Sequence, residues 1–200
     1  MKLFINPNQK LFFASDIHFF HKNVIKHDNR PFESVEEMNE TIIRNWNSVV
    51  GEDDIVIYPG DMSFGDAQQT KDIVHRLNGI IYFILGNHDI QKDLVATGRF
   101  ERIERSMMIR IKAPHIHKEP VYIYVNHFPC LNWDKSVHGS LHVFGHCHGA
   151  YNNHPHVLKH RMMDVGVNNF NYTPVEYTYV HEHLTSKEKE DANHHFCDVA

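Results

Sequence analysis

Ile80-Ile81-Tyr82-Phe83-Ile84-Leu85-Gly86-Asn87-His88-Asp89 sets the terms for the whole chain. The first six residues are apolar or aromatic and do not alternate with polar ones, the pattern of a strand buried on both faces. The last four are a glycine and three side chains able to bind a metal or move a proton. The same junction recurs upstream. Leu11 to Ala14 runs into Ser15-Asp16-Ile17-His18, and Ile55 to Tyr58 runs into Pro59-Gly60-Asp61.

Helical patterns separate these strands. Ser34 and Glu37 form a capping box, and Val35, Met38, Ile42, Trp46 and Val49 recur at helical spacing. A second helix is expected from Asp66 to Leu77, with Gly79 as its stop. This β-α-β-α-β order implies parallel strands joined by right-handed crossovers. The second half differs. Met107–Ile111, Val121–Val125, Leu141–Phe144, Met162–Val167 and Glu176–Val180 read as strands with short Asn-, Pro- and His-rich loops between them. The fold class expected is α/β: two sheets in a sandwich, the second mostly antiparallel or mixed, flanked by helices in four α/β/β/α layers. Residues 1–184 should form one domain, and the charged segment 185–200 a fraying tail.

Open α/β sheets bind ligands beyond the carboxyl ends of their strands. Asp16, His18, Asp61 and Asn87 follow strands of the first half; His127, His146 and His148 follow strands of the second. If the sheets face each other, these loops meet at one edge and supply enough ligands for two metal ions. Mixed Asp and His donors suit Zn, Mn or Fe better than Mg or Ca. An Asp directly after a glycine, as at Asp61, can reach two ions with its two oxygens. Two adjacent ions can hold a phosphoryl group, activate water and neutralise the leaving oxygen. The pattern therefore points to a phosphate-ester substrate.

Composition narrows the setting. The 200 residues are 42% hydrophobic and carry a formal net charge of −5, which argues against a broad basic track for nucleic acid. Cys130, Cys147 and Cys197 give an odd count without a disulfide framework, so a reducing cytoplasm is expected. The N-terminus is a poor signal peptide, and no apolar run approaches a membrane span.

The ordered set D-x-H, G-D, G-N-H-D, H and G-H-x-H, spanning residues 16 to 148, resembles the calcineurin-like metallophosphoesterase superfamily, and in particular its small, capless bacterial and phage members. The spacing from Asp61 to Gly65 is one residue shorter than the family often has. The resemblance implies one metal held by Asp16, His18, Asp61 and His148, and a second by Asp61, Asn87, His127 and His146. It makes His88 the catalytic histidine outside the ligand set and Asp89 the residue that orients it. The implied cofactors are two divalent ions (Mn, Fe, Zn or Ni), with Mn the ion expected to support activity in vitro. The implied reaction is in-line hydrolysis of a phosphomonoester or phosphodiester, such as a nucleotide or cyclic nucleotide. A nuclease component and a catalytically silent metal-binding module of the same fold are the alternatives.

Other residues carry weaker signals. His21, Asn23 and Arg30 are candidates for the phosphate pocket; the competing reading makes them a polar loop with Arg30 paired to a carboxylate. Cys147 is read as facing the core, because alternation in an extended segment would put His146 and His148 on the other face. Trp133 is read as a half-buried anchor, and His154, His156 and His160 as solvated loop residues.

Overall fold

The computed structural model describes residues 1–189. The strands are β1 (Lys2–Phe4), β2 (Leu11–Phe13), β3 (Ile55–Tyr58), β4 (Ile80–Ile84), β5 (Arg102–Glu104), β6 (Ser106–Lys112), β7 (Val121–Asn126), β8 (Leu141–Phe144), β9 (Met162–Asp164) and β10 (Val175–Glu176). The helices are α1 (Lys22–His27), α2 (Val35–Val49), α3 (Ala67–Val74), α4 (Gln91–Thr97), α5 (Pro155–Lys159) and α6 (Tyr177–Thr185).

Two five-stranded sheets result, ordered β10-β2-β3-β4-β5 and β1-β6-β7-β8-β9. In the first, β2 to β5 run parallel, and β10 pairs antiparallel with β2. The second is mixed. Its β6–β7 pair is antiparallel, while β1–β6, β7–β8 and β8–β9 are parallel.

Strand period builds the layers. Leu11 and Phe13 point between the sheets, where they meet Ile57, Ile109, Ile123 and Val143. Phe12 and Ala14 point the other way, with Val56, Tyr58 and Phe83, onto Met38, Ile42 and Trp46 of α2 and Ile73 and Val74 of α3. The outer face of the second sheet has a thinner cover, where Phe144 and Met162 pack on Trp133, Cys147 and Val157.

The α2 helix starts where its sequence signal lies, with Ser34 Oγ accepting from Glu37 N–H at 3.1 Å. The box is only half closed, because the Glu37 carboxylate takes the N–H of Glu33 instead. A complete reciprocal box occurs at Asp66 and Gln69, which open α3.

Three expectations need correction. Glu176–Val180 is not a strand: β10 stops at Glu176 and α6 follows, burying Tyr177, Val180 and Leu184 at spacings of three and four. Its aromatic and β-branched residues raise strand propensity, but tertiary burial on a helical face decides. The strand expected to reach Val167 ends at Asp164, and a 3₁₀ turn follows at Val167–Phe170. The expected tail starts too early. Lys187 Nζ donates to Val157 O and Met162 O, and Arg161 donates to the carbonyls of Thr185 and Lys187. Residues 190–200 of that tail, with Cys197, His194 and His195, lie outside the described residues.

Leu184 is fully buried in the inter-sheet core. Leu184→Ala should cost about 2–4 kcal/mol of stability through lost transfer energy and the cavity left behind. Urea unfolding measures this; a loss under about 0.5 kcal/mol would mean that the end of α6 is not part of the core.

Candidate metal centre

The C-terminal ends of β2, β3, β4, β7 and β8 deliver their loops to one edge of the sandwich. Asp16 is 0% exposed, and His18 and Asp61 are 2% exposed. His18 Nε2 lies 3.1 Å from His148 Nε2, 3.9 Å from Asp16 Oδ1 and 3.8 Å from Asp61 Oδ2. His148 Nε2 is 3.5 Å from Asp16 Oδ1. On the other side of Asp61, His127 Nε2 is 3.5 Å from Asp61 Oδ2 and 2.8 Å from Asn87 Oδ1. His146 Nδ1 lies 2.9 Å from that same amide oxygen. All seven residues expected as metal ligands converge here.

The donors fit cations. Metal–nitrogen bonds of about 2.1 Å in tetrahedral array put neighbouring ligand atoms roughly 3.4 Å apart, and the distances above bracket that value. His127 Nδ1 faces the carbonyl of Pro59 at 2.7 Å, so it carries the proton and Nε2 is the bare lone pair. That lone pair points at the Asn87 oxygen, an opposition that an intervening cation would relieve. Burial draws the pKa of His18 down to about 3, which keeps its imidazole neutral as a ligand must be. Burial also pushes Asp61 up to about 6. Among the described residues, Asp16-His18-His148 and Asp16-Asp61-His127 have ligand atoms close enough to share an ion.

The backbone is bent to this purpose. Asp16, His18, Asp61, His146 and His148 all have φ between 48° and 68°. Left-handed backbone in such residues costs on the order of 1–3 kcal/mol each and persists only where the surroundings enforce it. At Gly86 a Cβ would collide with the Asp61 carboxylate, and at Gly145 with Asp16 Oδ2 and Ser15 Oγ. The left-handed turns also correct the reasoning about Cys147. That segment is not extended, yet Cys147 is buried beside Trp133 and Phe144, where burial lifts its thiol to about 12.

A supporting ring of polar groups was not legible in the sequence. His148 Nδ1 bonds Asp28 Oδ2 at 2.6 Å, leaving Nε2 to face the centre. Burial opposes protonation of His148, but bonds to Asp16 and Asp28 outweigh it and raise its pKa to about 10. Asp28 is held in turn by Asn168 and Arg30. Asp164, 1% exposed, accepts the N–H groups of Gly149 and Gly166 and so closes the loop after His148.

Three expected roles change. Arg30 does not face a phosphate pocket and follows the competing reading, paired to the carboxylate of Asp28 at 3.3 Å, with its guanidinium buried on the carbonyls of Asp16 and Ile17 and on the Met38 sulfur. Asn23 is exposed on α1, and no hydrogen bond or ion pair joins it to the centre. Asp89 does not orient His88. Its carboxylate accepts from the N–H groups of Asp61, Met62 and Gly86, tying the loops after β3 and β4 together. His21 does border the centre, stacked on Phe64 at 4.0 Å. His88 is exposed above it, its N–H donating to Asp61 Oδ1 at 3.0 Å. Trp133 is an anchor, 6% exposed, with Nε1 donating to Ser140 O. His154 is exposed and caps α5, while His156 and His160 are half-buried rather than solvated, their rings 4.3 Å apart.

A family profile of calcineurin-like phosphoesterases matches residues 10–198. An uncharacterized protein of Methanocaldococcus jannaschii is 51% identical over 83 residues, covering 40% of this chain and 47% of that protein, so the match spans about half of the relative's length. The Gene 66 protein of Mycobacterium phage L5 is 28% identical over 180 residues, covering 78% of this chain and 84% of the phage protein. The crystal structure of a protein of unknown function from Aquifex aeolicus aligns with a TM-score of 0.67 and 21% identity, over 88% of this chain and 99% of that one. At that identity the likeness speaks for the fold.

Asp28→Asn should weaken metal binding about 10–100-fold, because the imidazole of His148 loses the carboxylate that fixes its tautomer and orientation. Calorimetric titration of Mn²⁺ or Zn²⁺ into chelator-treated protein measures it. Wild-type affinity in the variant would remove Asp28 from the support of the centre.

Proposed function

The chain belongs to the calcineurin-like phosphoesterase family, and from that premise we propose that it hydrolyses a phosphomonoester or phosphodiester at a centre of two divalent ions. The observation that carries this reading is the convergence of two donor sets on one buried carboxylate. Asp61 lies within 3.8 Å of His18 on one side and 3.5 Å of His127 on the other. Asp16, His18, Asp61 and His148 would hold one ion; Asp61, Asn87, His127 and His146 would hold the other. Bound there, the ions would activate water and neutralise charge on the phosphoryl oxygens.

The chain's own groups do the rest. Asp89 and the glycines at positions 60, 86 and 145 fix the loops. Asp28 and Asp164 brace the His146–His148 turn. His88 stands on the open side, where a departing alkoxide would pass, and donates its proton there. The ion expected to work in vitro is Mn²⁺, with Fe, Zn or Ni as other candidates, because four of the donors are imidazoles.

The complete donor set argues against a catalytically silent module. Two observations count against a nuclease track through Lys159 and Arg161: Lys159 lies 3.7 Å from Glu188, and Arg161 is turned onto backbone carbonyls. No helix among the described residues is long and apolar enough to cross a membrane. The free thiols Cys130 and Cys147 suit a reducing cytoplasm.

Chelation should abolish hydrolysis of bis-p-nitrophenyl phosphate, and Mn²⁺ should restore it better than Mg²⁺. Full recovery with Mg²⁺ alone in metal-free buffer would contradict the donor assignment.

His88→Asn should keep both metal equivalents and lower kcat by roughly 10²–10⁴-fold on a substrate with an alkoxide leaving group. A p-nitrophenolate needs little protonation, so its ester should suffer least. Parallel kinetics on a nucleotide and its p-nitrophenyl analogue decide this; equal losses on both would leave His88 as a phosphate-holding group only.

A further inference from the structure

A cavity of about 530 Å³ lies at the starts of β7 and β8, lined by Val121, Tyr122, Lys135, Gly139, Leu141 and Arg161 among others. The two strands run parallel, and His127 and His146 follow their far ends. At about 3.3 Å per residue, the length of β7 puts roughly 20 Å between this cavity and the metal centre. None of the residues lining the cavity is an Asp or Glu.

Three cations converge on it, each held by a different device. Arg161 is half-buried. Its Nε donates to Lys187 O at 3.1 Å and its Nη2 to Thr185 O at 3.3 Å, which leaves Nη1 uncommitted among the described residues. Burial lowers the pKa of Arg161, and no carboxylate offsets it. Lys135 has left-handed backbone, φ 61°, and its Nζ lies 4.2 Å from the centre of the Tyr122 ring. A Cβ at Gly139 would lie 3.2 Å from Lys189 Cε and 3.4 Å from Arg161 Nη1, so both cations close over the bare glycine.

The gathering of charge here runs against the rest of the chain, whose formal net charge is −5. Elsewhere Lys10 pairs with Glu176 and Lys159 with Glu188. Lys135 and Lys189 have no ion pair among the described residues. Half-buried positive charge without a counter-charge is costly, and a bound anion would relieve it. A carboxylate offers two oxygens in one plane. A tetrahedral dianion offers three oxygens, one for each cation, and its geometry matches the planar guanidinium. The volume falls within the range of small-molecule sites, and Pro120, Val121 and Leu141 supply an apolar wall.

We propose that this cavity is a second anion site, separate from the metal centre, which seats a dianionic phosphate group through Lys135, Arg161 and Lys189. Free phosphate and the phosphate ester of a small organic molecule share that chemistry. Neither needs the metal ions in order to bind here.

Residue-resolved NMR of the full chain, with and without Zn²⁺, tests the site at constant ionic strength. Inorganic phosphate, phenylphosphonate and benzenesulfonate are the probes, at a pH where the phosphonate is a dianion. Phenylphosphonate should shift the amide signals of Tyr122, Gly139, Ser140 and Arg161 saturably, with or without Zn²⁺. It should bind about tenfold more tightly than benzenesulfonate, which has the same body and one charge fewer, the scale of one charged hydrogen bond. Lys135→Ala and Lys189→Ala should each weaken it about tenfold. Both side chains are exposed, and the same spectra report whether the variants fold. Tighter binding of phenylphosphonate than of inorganic phosphate would identify an organic phosphate as the ligand, and equal binding the free ion; either supports the site. Shifts confined to the loops after β7 and β8, equal affinity for phosphonate and sulfonate, or wild-type affinity in both variants would overturn it.

Discussion

Two carboxylates, Asp16 and Asp61, are buried at the ends of adjacent strands, and neither side chain has a Lys or Arg within salt-bridge distance among the described residues. Taking an ion from water into a protein interior costs several kcal/mol unless a counter-charge compensates it. Here the nearest partners are imidazoles, which must be neutral to bind a metal and then compensate little. A pair of divalent cations would supply the missing charge, and the surrounding structure is arranged around that need. Gly86 allows the loop after β4 to lie directly on Asp61, and Gly145 the loop after β8 to lie on Asp16. His146 N–H donates to both oxygens of Asp16, and His88 N–H to Asp61, so the loops are tied to the groups they surround.

The sheets set this constraint in place. Register brings β2, β3 and β4 side by side, so Asp16, Asp61 and Asn87 emerge at neighbouring positions of one sheet edge. The second sheet, with β7 and β8 parallel, brings His127 and His146 to the facing edge. The core between the sheets fixes the distance across which the two sets meet. The strained, left-handed residues at these strand ends are therefore held by rigid elements on both sides, which is where strain can persist.

The strand-to-ligand junctions were legible because each motif is local: an unalternating apolar run, a glycine, a ligand. So was α2, whose apolar face recurs regularly from Met38 to Trp46. The supporting groups were not, since their partners are remote in sequence. Asp28 meets His148 across 120 positions, and nothing near Asp28 marks it. Arg30 admits two readings in sequence, a phosphate ligand or the partner of a carboxylate; only the fold decides, with its donors spent on Asp28 and on the carbonyls of Asp16 and Ile17. The α6 segment misled for a different reason. Tyr177, Val180 and Leu184 share a helical face, but Thr178 and Tyr179 between them are strand formers that mask its period. Cys147 was placed rightly from a wrong premise, since left-handed turns and an extended strand both send it away from its neighbours.

Burial is unequal across the centre, and the inequality has a direction. The donors around His18 are almost fully buried and braced through His148 to Asp28 and Arg30. Asn87 and His146, on the far side of Asp61, are exposed, as is His88. Phe64 and Phe128 stand at opposite ends, one against His18 and the other against His146, 40% and 45% exposed. A binding site needs its scaffold on one side and access on the other. The buried half meets the first need, where exclusion of water strengthens every charge interaction. The exposed half meets the second. The side chains that border the opening, Phe64, His88 and Phe128, are therefore the ones left facing solvent, while the buried donors are committed to the fold.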